Sequence, residues 1–154
     1  MAERLSTGLR QALLIAGGSS LADLLNTGVI DIYSGTQPAT ADAVETGVLL
    51  NRITLASGAF TAGVATNGLN FGTPVAGVLP KATAEVWSGA AVATGTAGWF
   101  RFYDNAAVAG ASTTAVRMDG AISTSGAELN MSNLAIVTAG TTTIDGFNVT
   151  LPAS

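Results

Sequence analysis

From Val29 onward the chain reads as short strands separated by turn residues, a pattern that admits sheets and leaves little room for long helices. Val29-Ile30-Asp31-Ile32-Tyr33 is a strand closed by Ser34-Gly35 and the Pro38 loop. Leu49 to Ala56 alternates, with Leu49, Ile53 and Leu55 on one face and Arg52 and Thr54 on the other. Trp99 to Tyr103 sets Phe100 and Phe102 against Trp99, Arg101 and Tyr103. Thr83 to Trp87 is a further alternating strand, and shorter ones fall at Val116 to Met118, Leu129 to Met131 and Leu134 to Val137. Asn67-Gly68 suits a type I′ hairpin leading into Leu69-Asn70-Phe71. The final strand, Thr142 to Leu151, changes apolar parity between Ile144 and Phe147, so Asp145-Gly146 reads as a bulge. Thr36 to Gly47, Ser88 to Gly98 and Asn105 to Thr114 read as loops. About eight short strands of this kind predict a mainly β chain, an antiparallel β-sandwich or jelly-roll-like domain.

The first 28 residues differ. Leu5, Leu9 and Leu13 recur at helical spacing with Ala12 and Ala16, Ser6 is placed to cap the helix, and Gly17-Gly18 stops it. Ser20-Leu21-Ala22-Asp23 resembles a capping box opening a second short helix. The expected organisation is an N-terminal helical segment, 1–28, and a sandwich domain, 29–154. The segment either packs on its own sheet or serves as an arm that docks on a neighbouring subunit.

Composition narrows the function classes. Ala, Gly and Thr fill 67 of 154 positions, and His and Cys are absent. Ordinary zinc and copper sites are therefore ruled out, as is a His-dependent nucleophile. Six scattered basic residues against ten acidic ones give a net charge of −4, which argues against a nucleic-acid partner. No apolar run has the length of a membrane span, and the Ala12 to Ala16 stretch, with Glu3 before it, makes a poor signal peptide.

Catalytic arrangements are weak. Asp42 with Glu45, or Asp104 with Asp119 if their strands pair, would supply two carboxylates to a glycosidase, with Trp87, Trp99 and Tyr103 as sugar-stacking rings. Turn capping by the acids and core packing by the rings account for the same residues. Calcium would need an alternating acidic loop, which is missing. Lys81, the one lysine, reads as a solvated loop residue, and Gly95-Thr96-Ala97-Gly98 opens a strand rather than the helix a phosphate loop requires. Asn130 and Asn148 stand in glycosylation sequons that matter only on secretion. No catalytic, cofactor-binding or metal-ligating residue is assigned. Arg101, beside Trp99 and Tyr103, is either an inter-subunit anchor or part of an ordinary polar strand face. The candidate interface residues are thus Leu5, Leu9, Leu13, Trp87, Trp99, Arg101 and Tyr103.

Three blocks, Leu5-Ser6-Thr7-Gly8-Leu9-Arg10, Ile32-Tyr33-Ser34-Gly35-Thr36-Gln37-Pro38 and Gly95-Thr96-Ala97-Gly98-Trp99-Phe100-Arg101-Phe102-Tyr103-Asp104, carry a family resemblance. With Asp145-Gly146-Phe147, they resemble a group of small structural proteins encoded by tailed bacteriophages and prophages. The resemblance implies a non-enzymatic virion component made in the host cytoplasm. It implies a capsid decoration (cement) protein, often a trimer, that contacts its own copies and the major capsid protein. A tail or head–tail accessory protein is the alternative, and a carbohydrate- or receptor-binding module using Trp87 and Trp99 is the alternative of another class.

Overall fold

The computed structural model describes residues 3–150. Strand β1 (Arg4–Leu5) and helices α1 (Thr7–Leu14) and α2 (Leu21–Leu25) come first. They are followed by β2 (Val29–Ser34), β3 (Leu49–Leu55), β4 (Val78–Pro80), β5 (Trp87–Ala90) and β6 (Gly95–Tyr103). The chain continues through β7 (Arg117–Ser123), β8 (Leu129–Asn130), β9 (Ala135–Ile136), β10 (Thr141–Ile144) and β11 (Asn148–Thr150). The domain is mainly β and sandwich-like, with a short N-terminal helical segment, as the alternation predicts. Its large sheet runs β1-β7-β6-β2-β3-β5-β10, with β8 beside β7 and β9 beside β6, while β4 and β11 form a separate pair. Among the described residues, only β7 and β8 run parallel.

Alternation along β6 decides what each face of the sheet meets. Phe100 and Phe102 point inward with Ile30, Ile32 and Met118, under the helices and the β4–β11 pair. Phe147, just before β11, lies with its ring centroid 5.5 Å from Phe100, 5.8 Å from Trp87, 6.0 Å from Phe102 and 6.2 Å from Phe71. These five rings tie the small sheet to the large one.

The two N-caps fall where the sequence sets them, but Leu5 is strand β1, not helix, and α1 ends at Leu14, before Ala16 and Gly17-Gly18. Ser6 Oγ accepts the Leu9 N–H at 3.1 Å, and the Ser20–Asp23 capping box is complete. Ser6 has a further role, donating to Ala115 O at 2.7 Å and accepting the Arg117 N–H at 3.1 Å. Leu9 and Leu25 are fully buried in the domain core, Leu5 and Leu13 pack against it, and β1 pairs with β7. Residues 3–28 thus pack against the chain's own sheet and core.

Several strand boundaries differ from expectation, each for a physical reason. Ser88 to Ala90 and Gly95 to Gly98 are strand, not loop. Their small side chains carry no hydrophobic pattern, yet they allow the backbone to come close: a Cβ on Gly89 would lie 2.0 Å from Arg52 O. Thr83 to Val86 is not strand, because Glu85 turns inward to accept from Asn70 Nδ2 at 2.7 Å and Trp87 Nε1 at 2.8 Å. Asn67 has φ +64° but Gly68 has no positive φ, so the turn is not type I′, and Leu69 bridges to Gly28 instead. Asp145-Gly146 is a crossover between two sheets rather than a bulge, since β10 pairs with β5 and β11 with β4. That crossing lets Ile144 and Phe147 both be buried. Leu151, the expected end of the last strand, lies outside the described residues.

Because Phe147 joins the two sheets, Phe147→Ala should cost about 3–5 kcal/mol of unfolding free energy, read from urea midpoints.

Candidate functional site

The outer face of the large sheet carries the chain's densest chemistry. In a strand, residues of one parity share a face, and directly paired residues of neighbouring strands sit side by side. Arg4 pairs with Asp119, Asp119 with Arg101, Arg101 with Asp31, and Asp31 with Arg52. One transverse row across β1, β7, β6, β2 and β3 therefore alternates in sign at every step. Two of its pairs close as forked ion pairs. Arg101 donates Nε and Nη2 to the Asp119 carboxylate at 2.6 and 2.8 Å, and Arg52 donates Nε and Nη2 to Asp31, both at 2.7 Å. Arg101 and Asp119 are wholly buried, and Asp31 nearly so.

Two loops cover this row. Thr36 to Gly47 is not a free surface loop: Ala41 is buried, and Arg4 Nη1 donates to Pro38 O. Glu45 reaches down from it, accepting from Arg101 Nη1 at 2.8 Å and Tyr103 Oη at 2.7 Å. The same carboxylate accepts the Gly110 N–H at 3.0 Å, which draws in the second loop. Arg117, fully buried beside the row, donates to the carbonyls of Ala41, Asp42, Val108, Gly110 and Ser112 at 2.6 to 3.3 Å. Three guanidinium groups, of Arg52, Arg101 and Arg117, thus meet three carboxylates, of Asp31, Glu45 and Asp119. The cluster is electrically balanced, the condition under which buried charge is tolerated.

Titration follows this geometry. Burial alone would raise the Glu45 carboxyl, but the Tyr103 hydroxyl, backbone N–H groups and the Arg101 charge hold it below its ordinary 4.5. Burial works against the Arg101 charge as well, yet Asp119 holds its pKa above the usual guanidinium value. Tyr33, stacked on Trp99 at 4.6 Å, is pushed up to about 12 by burial and then by the Asp31 charge.

Most of the expected interface residues are placed inside. Trp87, Trp99, Arg101, Tyr103 and Leu9 have 0 to 1% exposure, and Leu5 and Leu13 are half-buried against the chain's own core. Arg101 does lie over aromatic rings, 5.5 Å from Trp99 and 6.0 Å from Tyr103, but within its own subunit. None of the five buried side chains is available as a surface anchor or sugar platform. The proposed carboxylate pairs also separate. Asp42 accepts the Thr7 N–H and hydroxyl at 2.8 and 2.6 Å, while Glu45 serves the ionic row. Asp104 follows Tyr103, which pairs with Arg117, so it is displaced from Asp119. Lys81 is half-buried rather than a free loop side chain: its Nζ donates to Glu85 O and to Ala82 O and lies 5.7 Å from the Trp87 ring centre.

The sequence alone assigns no role to Asp31, Arg52 or Arg117 and does not pair Asp119 with Arg101. One signal was present: Asp31 and Arg101 occupy mid-strand positions in a chain poor in charge, where a lone charge could not be buried unpaired, whereas Asp119 lies past the expected Val116 to Met118 strand. Among the described residues, no group of three or more acidic side chains is gathered as a metal site, and no helix is long and apolar enough to cross a membrane. A separate polar groove of about 300 Å³ lies between β10 and residues 130–136. No protein-family model, curated protein or solved structure matches the chain.

The ionic row makes two measurable demands. Asp119→Ala should destabilise the fold by about 3–5 kcal/mol by leaving Arg101 buried without its partner. Because the folded Glu45 pKa is depressed, its contribution is present above the unfolded pKa and is lost as pH falls through the folded one. Glu45→Gln should therefore lower stability by roughly 2 kcal/mol near neutral pH. It should also flatten the stability–pH curve between about pH 5 and pH 3, followed by denaturant unfolding at each pH.

Proposed function

We propose that this chain is a non-enzymatic structural protein of a tailed-bacteriophage particle, a capsid decoration (cement) protein that stabilises the shell through subunit contacts. It works as a homo-oligomer on the major capsid protein. The observation supporting this reading is that the functional-looking chemistry faces inward. Arginines, acids, tryptophans and tyrosines are engaged in fixing two loops onto a sheet, which yields a stiff body with no reactive group held open in that cluster. A part that resists mechanical load by being packed against has use for such stiffness. The family resemblance of the N-terminal and β6 blocks agrees with this role.

Contact with neighbours then falls to exposed aliphatic side chains. Leu14 and Ile15, at the end of α1, are 85% and 66% exposed. Adjacent exposed apolar side chains such as these can form the dry centre of a subunit contact. Sugar stacking on Trp87 and Trp99 has no support, since both rings are fully buried.

Purified protein added to particles that lack it should bind the heads saturably and raise their resistance to heating. Imaging of the particles should place the added copies on the shell. Copies found only along the tail would replace the decoration reading with the accessory one, and no binding to either would defeat both. Leu14→Asp combined with Ile15→Asp should lower head occupancy at least tenfold while leaving the melting temperature of the free protein nearly unchanged.

A further inference from the structure

The polar groove beside β10 has the features of a strand-acceptor site. Six consecutive residues, 141–146, line it. Neighbouring side chains of a strand point to opposite faces, so an uninterrupted run of lining residues means that the groove follows the strand's edge and exposes its backbone. β10 is the last strand in the order of the large sheet, which leaves that edge without a neighbour.

The direction of its backbone groups follows from the pairing. Ala56 N–H donates to Val86 O, so Val86 and, two residues on, Ser88 face β3. Trp87 and Gly89 then face β10, where they pair with Ile144 and Thr142. The N–H and C=O groups of Thr141 and Thr143 accordingly point away from β5 into the groove. They have no backbone partner among the described residues. The Asp145 carboxylate, also lining the groove, has neither hydrogen-bond nor ion-pair partner there. No basic residue lines it.

The two outer edges of the sheet are unlike. β1 is two residues long and carries Arg4, the short and charged form of edge that resists pairing. β10 is Thr-Thr-Thr-Ile, rich in β-branched residues, with no charge or proline along it. The opposite wall, residues 130–133, 135 and 136, leaves a slot of about 300 Å³. That wall admits a single extended segment more readily than the whole edge of a second sheet.

We propose that β10 accepts an extended peptide segment of a partner protein as an added antiparallel strand. Its main chain pairs with Thr141 and Thr143, and a basic side chain near its N-terminal end meets Asp145. The site is independent of the virion reading, and its test needs only the isolated protein.

Amide exchange and peptide titration, both followed residue by residue by NMR, supply that test. In the free protein the amides of Thr142 and Ile144 should be protected and those of Thr141 and Thr143 should exchange freely. Protection of the latter pair in the monomer would mean that the edge is already covered, and the proposal would fall. The probe is acetyl-Lys-Thr-Val-Thr-Val-amide, titrated to millimolar concentration. It should shift Thr141, Thr143 and Asp145 saturably, and a version N-methylated at every residue, which leaves neither edge able to donate, should give no shift. Thr143→Pro removes an outward N–H and no bond to β5, so it should abolish the response with the fold intact. Should that variant unfold, the N-methylated probe still decides. Asp145→Asn should weaken binding about threefold, the scale of an exposed ion pair. No shift in this region, or equal binding of the methylated probe, overturns the proposal. Dimerisation of the chain through β10 in place of peptide binding would also overturn it, making a second copy the occupant.

Discussion

The alternating row Arg4, Asp119, Arg101, Asp31, Arg52 is the constraint on which the rest of the structure depends. Buried ion pairs contribute little net stability, because removing both charges from water offsets most of their attraction. What they do impose is register. A one-residue slip would turn the buried charges toward the phenylalanine side of the sheet. A two-residue slip of β7 against β6 would set Arg101 against Arg117 or Ala121. Every alternative pairing of these strands therefore leaves a charge unmatched, and the native one alone matches them all.

That row also explains how a sheet comes to be covered on both faces by different means. Inside, five aromatic rings and aliphatic side chains exclude water in the ordinary way. Outside, the cover consists of two irregular loops, whose polar backbone would be costly to lay on an apolar surface. Arg117 and Glu45 resolve the difficulty by offering donors to five loop carbonyls and acceptors to a loop N–H. The loops are held by charge-assisted hydrogen bonds instead of apolar contact. Small residues assist: a Cβ on Gly98 would lie 2.1 Å from Gly35 O, so the two chain segments approach only because position 98 bears no side chain.

Turning the chemistry inward leaves an outer surface rich in threonine, alanine and scattered valine, together with the open edge of the large sheet at β10. Such a surface suits a protein whose partners meet it through shape and main chain. It also accounts for the scarcity of charge in the composition: many of the arginines and acids present are already matched within the subunit.

The residues by themselves determined the class of fold. Period-two alternation in β2, β3 and β6, the capped leucine stripe of α1 and the Ser20 box are local signals, set by backbone geometry and legible one segment at a time. Strands made of Gly, Ala and Ser, such as β5, carried no such signal, because their reason for being strands lies in the neighbours that approach them. The candidate site was legible only in part. Arg101, Trp99 and Tyr103 stood out as a group, but whether that face met solvent, a partner or the chain itself was undecided by alternation, which gives a residue's side of the sheet and not what covers it. Only the tertiary structure brought Glu45 and Arg117 over that face and turned a presumed contact surface into a second, ionic interior. Burial and charge pairing depend on residues distant in sequence, and no local period encodes them.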